Sequence, residues 1–213
     1  MTSIFNQLNG LSVYPLVALL GYVIGSCNMA LFLAKLKGVD LKAGGSGNPG
    51  ASNALILMGW RAGVLTGAFD IGKAVLAVWL AGKLFPGTVL CGAVAGVACV
   101  LGHMFPFYLH FRGGKGFAAY LGMTLALNWK FALVLIAAIA LLLLLTDYIV
   151  LGTMTTVISF PLYCAVTGRL LMAAVLAIAS AVIVYKHRMN LVRICNGTEI
   201  GFRSAGRGDL RVK

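Results

Sequence analysis

Charge is scarce in this chain, and acidic charge scarcest of all. Of 213 residues 10% are charged and five are acidic. A water-soluble domain carries about 25% charged residues. The chain therefore cannot cover a soluble surface, and it reads as an integral membrane protein forming one domain over 1–213. So few carboxylates argue against a bound metal cluster, because hard cations need oxygen ligands. No metal and no cofactor is expected. The alternation of apolar and polar residues that marks a membrane β-barrel is also missing. Hydrophobic residues make up 61% of the chain and the mean hydropathy is +0.97. They fall in continuous runs near the ~20 residues that a helix needs to cross a bilayer, so the expected fold is all-α. Residues 1–10 show neither a basic n-region nor a cleavage site, so no removable signal peptide is expected. The five cysteines are odd in number, and Cys27, Cys91, Cys99 and Cys164 lie in apolar runs. Those four read as small apolar packers rather than a disulfide set or a metal site. There is no internal repeat.

The apolar runs predict about seven transmembrane spans. They cover Leu11–Leu36, Ala62–Leu84, Thr88–Tyr108, Phe117–Leu127, Phe131–Leu145 and Tyr148–Val166, with a seventh ending near Tyr185 before a polar tail, 186–213. A short apolar piece, Ala54–Gly59, precedes the second span. The fourth and fifth are short, which makes Asn128-Trp129-Lys130 a candidate interfacial turn. The net charge of +12 sits mostly in loops. That favours anionic partners such as phosphates or lipid headgroups over nucleic acid. Alternation places Lys35, Lys37, Lys42, Arg112, Lys115, Lys186, Arg188, Arg193, Arg203, Arg207, Arg211 and Lys213 on one side. It leaves Lys83, Lys130 and Arg169 in the opposite loops. The positive-inside rule makes the first side cytoplasmic, with the N-terminus outside and the C-terminus cytoplasmic.

Every chemically suggestive segment falls on that cytoplasmic side. Gly44-Gly45-Ser46-Gly47-Asn48-Pro49-Gly50-Ala51-Ser52-Asn53 is a polar, glycine-rich stretch in an apolar chain. Such a loop is expensive to order, but it can turn backbone N–H groups on an anion. Gly45 and Gly50 have the spacing that opens a P-loop, yet Ala51 stands where that motif needs lysine. An ordinary connector between helices has the same composition, so this stretch alone leaves both readings open. The second segment runs from Gly102-His103-Met104-Phe105-Pro106 to Arg112-Gly113-Gly114-Lys115-Gly116. A positive-inside anchor would explain its charges but not its glycines, so phosphate contact is the better reading. His103 lies within a span and is structural or catalytic, as is Thr153. In the third segment, Lys186-His187-Arg188-Met189-Asn190 and Asn196-Gly197-Thr198-Glu199, His187 and Asn190 share a helix face if the last helix continues. Arg188 and Arg193 read as a solvated helix end. Asp70 and Lys73, three apart inside a span, are expected to pair as scaffold, since an isolated charge there costs about 2.5–3.5 kcal/mol; a proton path is the lesser alternative.

Together these stretches resemble the three motifs of the bacterial acyl-phosphate:glycerol-3-phosphate acyltransferase family, the PlsY type. They are Gly-Ser-Gly-Asn-Pro-Gly-Ala-Ser-Asn at 45–53, Gly-His-x-Phe-Pro leading to Phe-Arg-Gly-Gly-Lys-Gly at 102–116, and His-Arg-x-Asn with Asn-Gly-Thr-Glu at 187–199. The resemblance implies an acyl phosphate donor in the membrane, glycerol 3-phosphate as acceptor and 1-acylglycerol 3-phosphate (lysophosphatidic acid) as product, the first step of phospholipid synthesis. It also implies a monomer in a bacterial inner membrane, with the site on the cytoplasmic face. Ser46, Gly47, Asn48, Gly50, Ser52 and Asn53 would cradle the donor phosphate. Lys115, Arg112, His187, Asn190 and Glu199 would serve the acceptor, and Gly113, Gly114 and Gly116 would allow close backbone approach. Ser46, Lys115, His187 and Asn190 would be catalytic, without any side-chain nucleophile. No histidine here is followed five residues later by aspartate, so no other acyltransferase signature competes.

The departures from the family pattern are specific. Ile56 stands where the family places an arginine for the acceptor phosphate, and Arg61 points about 140° away on a helix. Asp147 replaces a basic residue, Val150 a serine and Met189 a glutamate. An enzyme using the same donor with another acceptor is therefore the alternative. A small anion transporter is a further one, opposed by the gathering of polar groups at one face and the lack of an inverted repeat.

Overall fold

The computed structural model describes residues 2–87 and 90–203, with side chains from Val13 onward. The expected start of the third span at Thr88 and the tail residues Arg207, Arg211 and Lys213 lie outside the described residues. Every regular element among the described residues is helical. In order they are α1 (Thr2–Ser26), α2 (Met29–Lys37), α3 (Ala51–Met58), α4 (Trp60–Leu84), α5 (Cys91–Met104), a 3-10 turn (Phe107–Leu109), α6 (Phe117–Leu127), α7 (Trp129–Thr146), α8 (Ile149–Val166) and α9 (Leu170–Cys195).

Six helical stretches are long and apolar enough to cross a membrane, and α6 is a shorter apolar helix. At 11 residues, α6 rises only ~16 Å, about half of a hydrocarbon core. It still reaches the far end of the bundle. Asn128, which closes it, donates to the Tyr163 hydroxyl near the end of α8 at 3.2 Å, and Phe131 stacks on the Tyr163 ring at 4.3 Å. Asn128 also caps α7, accepting from Phe131 N–H at 3.0 Å. The fourth expected span is thus present as a short apolar helix beside six that are long enough to cross.

Two expected boundaries move. The first span is broken at Cys27-Asn28, where Asn28 turns extended and caps α2 by accepting from Leu31 N–H. Cys27 is accordingly exposed rather than packed, while Cys91, Cys99 and Cys164 are buried. The last span does not stop near Tyr185: α9 continues to Cys195. Residues 186–195 become polar but contain neither glycine nor proline. Falling hydropathy marks the edge of the oil, not the end of a helix.

Helix packing relies on small residues. Gly21 and Gly25 are one turn apart on α1. A methyl on either would overlap the Ala95 or Cys99 carbonyl of α5, and one on Gly102 would overlap the Tyr22 carbonyl in return. Such glycine pairs let backbones touch where lipid supplies no hydrophobic drive between helices. A core of Tyr120, Met123, Phe160, Leu176 and Ile183 joins α6, α8 and α9, and Tyr120 and Ser180 satisfy each other's hydroxyls at 2.9 Å. Leu133, Leu144, Leu145, Leu170 and Leu171 are exposed, as a lipid-facing surface requires. Replacing Gly25 with valine should force α1 off α5 and destabilise the fold by about 1–3 kcal/mol or more. A thermal midpoint in detergent that does not fall would contradict the contact.

Candidate active site

The first glycine loop is held by two asparagines. Asn28, at the α1–α2 break, donates to the Pro49 carbonyl at 3.0 Å. Asn53, 1% exposed in the first turn of α3, accepts from Ser46 N–H at 2.8 Å and donates to the Leu41 carbonyl at 2.8 Å. Gly45 and Gly47, on either side of Ser46, adopt left-handed φ of 58° and 64°, which side chains disfavour. A methyl on Gly45 would also overlap the Asn53 amide oxygen. α3 then starts after Gly50 with no side-chain cap. The N–H groups of its first turn are the ones a helix leaves without internal partners, and they suit an anion. The Ser46 and Ser52 hydroxyls beside them are within reach of a ligand in the cavity they line.

The second glycine loop folds back on α5. Gly113 N–H donates to the Met104 carbonyl at 3.0 Å and Gly114 N–H to the His103 carbonyl at 3.1 Å, satisfying orphan carbonyls of that helix end. A methyl on Gly113 would meet the His103 carbonyl, and one on Gly114 the His103 ring. These glycines therefore admit α5 rather than a ligand. Tyr22 and Tyr108 brace the turn, donating to the Phe105 and Ser26 carbonyls at 2.6 Å each. The loop delivers Lys115 to the cavity and leaves Arg112 exposed outside it.

Lys115 meets α9 there. Its ammonium donates to Asn190 Oδ1 at 2.6 Å, Asn190 Nδ2 donates to Glu199 Oε1 at 2.5 Å, and Arg193 Nε donates to Glu199 Oε2 at 2.6 Å. His187, Asn190 and Arg193 recur every three residues along one face. The Ile183 carbonyl lies 2.9 Å from His187 Nδ1. A carbonyl only accepts, so Nδ1 carries a proton and the neutral ring offers Nε2 as an acceptor. Burial, with Arg193 and Lys186 nearby, pushes the Lys115 pKa below the ordinary lysine value, and Glu199 partly opposes this.

Behind these groups lies the buried ion pair. Lys73 Nζ is 2.6 Å from Asp70 Oδ1, 2.7 Å from the Cys27 carbonyl and 3.0 Å from His103 Nδ1. His103 Nδ1 is also 3.3 Å from Asp70 Oδ1. The expected pairing of Asp70 with Lys73 is present and draws in His103.

A cavity of about 420 Å³ joins the three motifs. Ser46, Asn48, Gly50 and Ser52 line it from the first; Lys115, Gly116 and His103 from the second; His187, Asn190 and Glu199 from the third. Thr153 lines it from α8, its hydroxyl spent on the Ile149 carbonyl at 3.1 Å. Gly47, Asn53, Arg112, Gly113 and Gly114 are not in its wall. Asn53 uses both ends of its amide on backbone, so its place is behind the loop rather than against a phosphate. The description of Arg193 as a solvated helix end is corrected: it lines the cavity and grips Glu199. The three-residue spacing from Asn190 is the signal that marks it. Ile200 and Phe202 also line the cavity, and no motif points to them. Ile56 lines it too, whereas Arg61 is exposed and outside it. Among the described residues no group of His, Cys, Asp and Glu could hold a metal ion.

The bundle and its cavity define a helical membrane protein with a glycine-rich, cation-bearing site at one set of helix ends. A family model described as glycerol-3-phosphate acyltransferase matches residues 15–197, and the chain belongs to that family. A glycerol-3-phosphate acyltransferase of Clostridioides difficile is 36% identical over 191 residues, covering 87% of this chain and 94% of that protein. One from Oceanobacillus iheyensis is 33% identical over 193 residues, covering 87% and 93%. The crystal structure of PlsY in its glycerol 3-phosphate form superposes with a TM-score of 0.83 at 34% identity, covering 90% of this chain and 96% of that one. Its lysophosphatidic acid form gives 0.80 at 33% identity, covering 91% and 98%.

Substituting Asn53 by alanine leaves the buried Leu41 carbonyl without its partner, at about 1–3 kcal/mol, and releases the N–H of the exposed Ser46. Faster amide exchange across residues 41–50 and a lower thermal midpoint are the expected result. Unchanged exchange would show that the loop is held by something else.

Proposed function

We propose that this protein transfers the acyl group of an acyl phosphate to the 1-hydroxyl of glycerol 3-phosphate, giving 1-acylglycerol 3-phosphate and phosphate. The observation that carries the reading is the convergence of three glycine- and cation-bearing motifs on one cavity, in a chain of this family. The donor phosphate sits against Ser46, Ser52 and the first N–H groups of α3. The acceptor sits against Lys115, Asn190 and His187, with Arg193 supplying the positive charge that Ile56 does not.

The hydroxyl oxygen of the acceptor attacks the acyl carbonyl carbon. The bond from that carbon to the phosphate oxygen breaks, and the hydroxyl proton leaves on the released phosphate. This needs no side-chain nucleophile, and none is poised: the two histidines of the cavity are tied to Lys73 and to the Ile183 carbonyl, not to a serine. With a good leaving group, positioning and charge stabilisation suffice. The site opens to the cytoplasm, on the side where Lys35, Lys37, Lys42 and Arg112 gather. A donor held in the inner membrane and a water-soluble acceptor can both reach that depth. One chain carries every residue used, in keeping with a monomer.

Purified protein given palmitoyl phosphate and labelled glycerol 3-phosphate should yield lysophosphatidate, read by mass. Donor consumption without that product would replace glycerol 3-phosphate by another acceptor, and no consumption would overturn the reading. Lys115→Ala should lower turnover about 100- to 1,000-fold, as loss of a preorganised charge does, with the fold retained in detergent. Lys115 is charged below its depressed pKa and neutral above it. Turnover should therefore fall as pH rises, on a limb below the ordinary lysine range, and Lys115→Arg should move that limb upward. A limb unmoved by Lys115→Arg would assign it to another group. Ile56→Arg should lower the acceptor KM about tenfold, the worth of a charged hydrogen bond; an unchanged or raised KM would place the acceptor phosphate elsewhere.

A further inference from the structure

The segment that follows α9 is fastened at two points, and the proposed chemistry uses only one. The first is Glu199, gripped by Asn190 and Arg193. The second lies at the corner between α7 and α8. There Phe202 N–H donates to the Asp147 carbonyl at 2.8 Å. Arg203 donates to Asp147 Oδ1 twice, from its backbone N–H at 2.9 Å and from Nε at 3.1 Å. Its guanidinium also reaches the Leu144 carbonyl at 3.1 Å. Between the two anchors, Ile200 and Phe202 face the cavity. The corner is shaped for this. Asp147 takes a left-handed φ of 66°, which aspartate tolerates better than most residues. Gly201 lies so close that a methyl there would overlap the carboxylate.

We infer that Asp147 is a positioning residue for the acceptor half of the site, closing the segment 199–203 over the cavity by clasping Phe202 and Arg203. The inference rests on the acyl-transfer reading above. It also gives a task to a residue that otherwise reads only as a departure from the family pattern, where a basic residue stands. A carboxylate can accept the two N–H bonds of Arg203, whereas a lysine or arginine at 147 cannot. In the Asp147–Arg203 ion pair the arginine is open to solvent, so by itself the pair contributes little. Its effect comes through geometry: a released segment no longer presents Glu199 to Asn190, nor Asn190 to Lys115.

A clasp of this kind acts on a population. If only a fraction of molecules holds the segment closed, the apparent affinity falls by that fraction, while a saturating ligand restores the closed form. Asp147→Gly tests this, since glycine keeps the left-handed turn and the backbone carbonyl and removes only the carboxylate. The expected result is an acceptor KM raised about tenfold, with kcat within about twofold and the donor KM unchanged. Amide exchange at Phe202 and Arg203 should quicken, and the thermal midpoint in detergent should hold. Arg203→Gln, which keeps the backbone donor, should raise the acceptor KM less. Asp147→Asn, which keeps the acceptor oxygen, should stay near the parent. Where the parent turns over glycerol 3-phosphate but Asp147→Gly leaves its KM unchanged, or lowers kcat and shifts both substrates' KM alike, this assignment falls alone. A parent that does not turn over glycerol 3-phosphate overturns the proposed function and the assignment with it.

Discussion

An ammonium buried inside a helical bundle must place all three of its N–H bonds, and Lys73 places them on three elements. Asp70 is on its own helix, the Cys27 carbonyl is at the broken end of α1, and His103 is near the end of α5. An unpaired charge at that depth would be expelled or neutralised, so the three elements must meet wherever Lys73 sits. The consequences run outward. An unbroken α1 would spend the Cys27 carbonyl on its own ladder; the break frees it and exposes Asn28. Asn28 then reaches Pro49 and sets the height of the first glycine loop. His103, tied at Nδ1, presents its ring to Gly114, which sets the second loop. Both glycine loops are thus registered against one buried cation.

Glycine works differently in the two loops. In the first it supplies left-handed backbone at Gly45 and Gly47, so that Ser46 can face a ligand while its N–H is held from behind by Asn53. In the second, Gly113 and Gly114 have no need of unusual angles; they vacate space for the α5 terminus. A similar economy operates between α1 and α5, where Gly21, Gly25 and Gly102 bring backbones into contact. Small residues in this chain therefore mark where two backbones meet more often than where a ligand arrives.

That distinction explains what the sequence discloses. The spans were legible because each is a run of oil, and α6 to α8 begin and end within a residue or two of the expected places. Although each polar, glycine-rich stretch alone could be an ordinary connector, the three motifs together, in order along the chain, were legible. The α1–α2 break was not, since Cys27 and Asn28 are too short a signal to interrupt a hydropathy run. The apolar run ends near Tyr185 while α9 runs on to Cys195, so hydropathy bounds the span and only the shared face of His187 and Asn190 hints at the longer helix. Among site residues, Asn53 illustrates the limit of composition: an amide in a glycine-rich loop can face a ligand or the loop, and only its partners decide. Arg193 was readable from its three-residue spacing to Asn190, whereas Ile200 and Phe202 belong to the cavity through the path of the chain after α9, which local pattern does not contain.

The electrostatics of the cavity follow a single rule: no cation in its wall is left bare. Lys115 is met by the neutral Asn190 oxygen and Arg193 by Glu199, while behind the wall Lys73 is met by Asp70. On the proposed function, a phosphate that enters finds positive charge already oriented but only partly neutralised at Lys115, where an amide dipole rather than a carboxylate is the partner. Exchanging an amide oxygen for a phosphate oxygen strengthens the contact, because hydrogen bonds between two ionised groups are the stronger kind. Displacing Glu199 from Arg193 would instead trade one charged partner for another. Lys115 is therefore the cation most readily given to a ligand, and Glu199 and Asn190 serve to aim it. On the proposed reading, a reaction whose leaving group needs little help can rely on that aim alone, which places the chemical demand on the anchors behind the side chains rather than on a nucleophile.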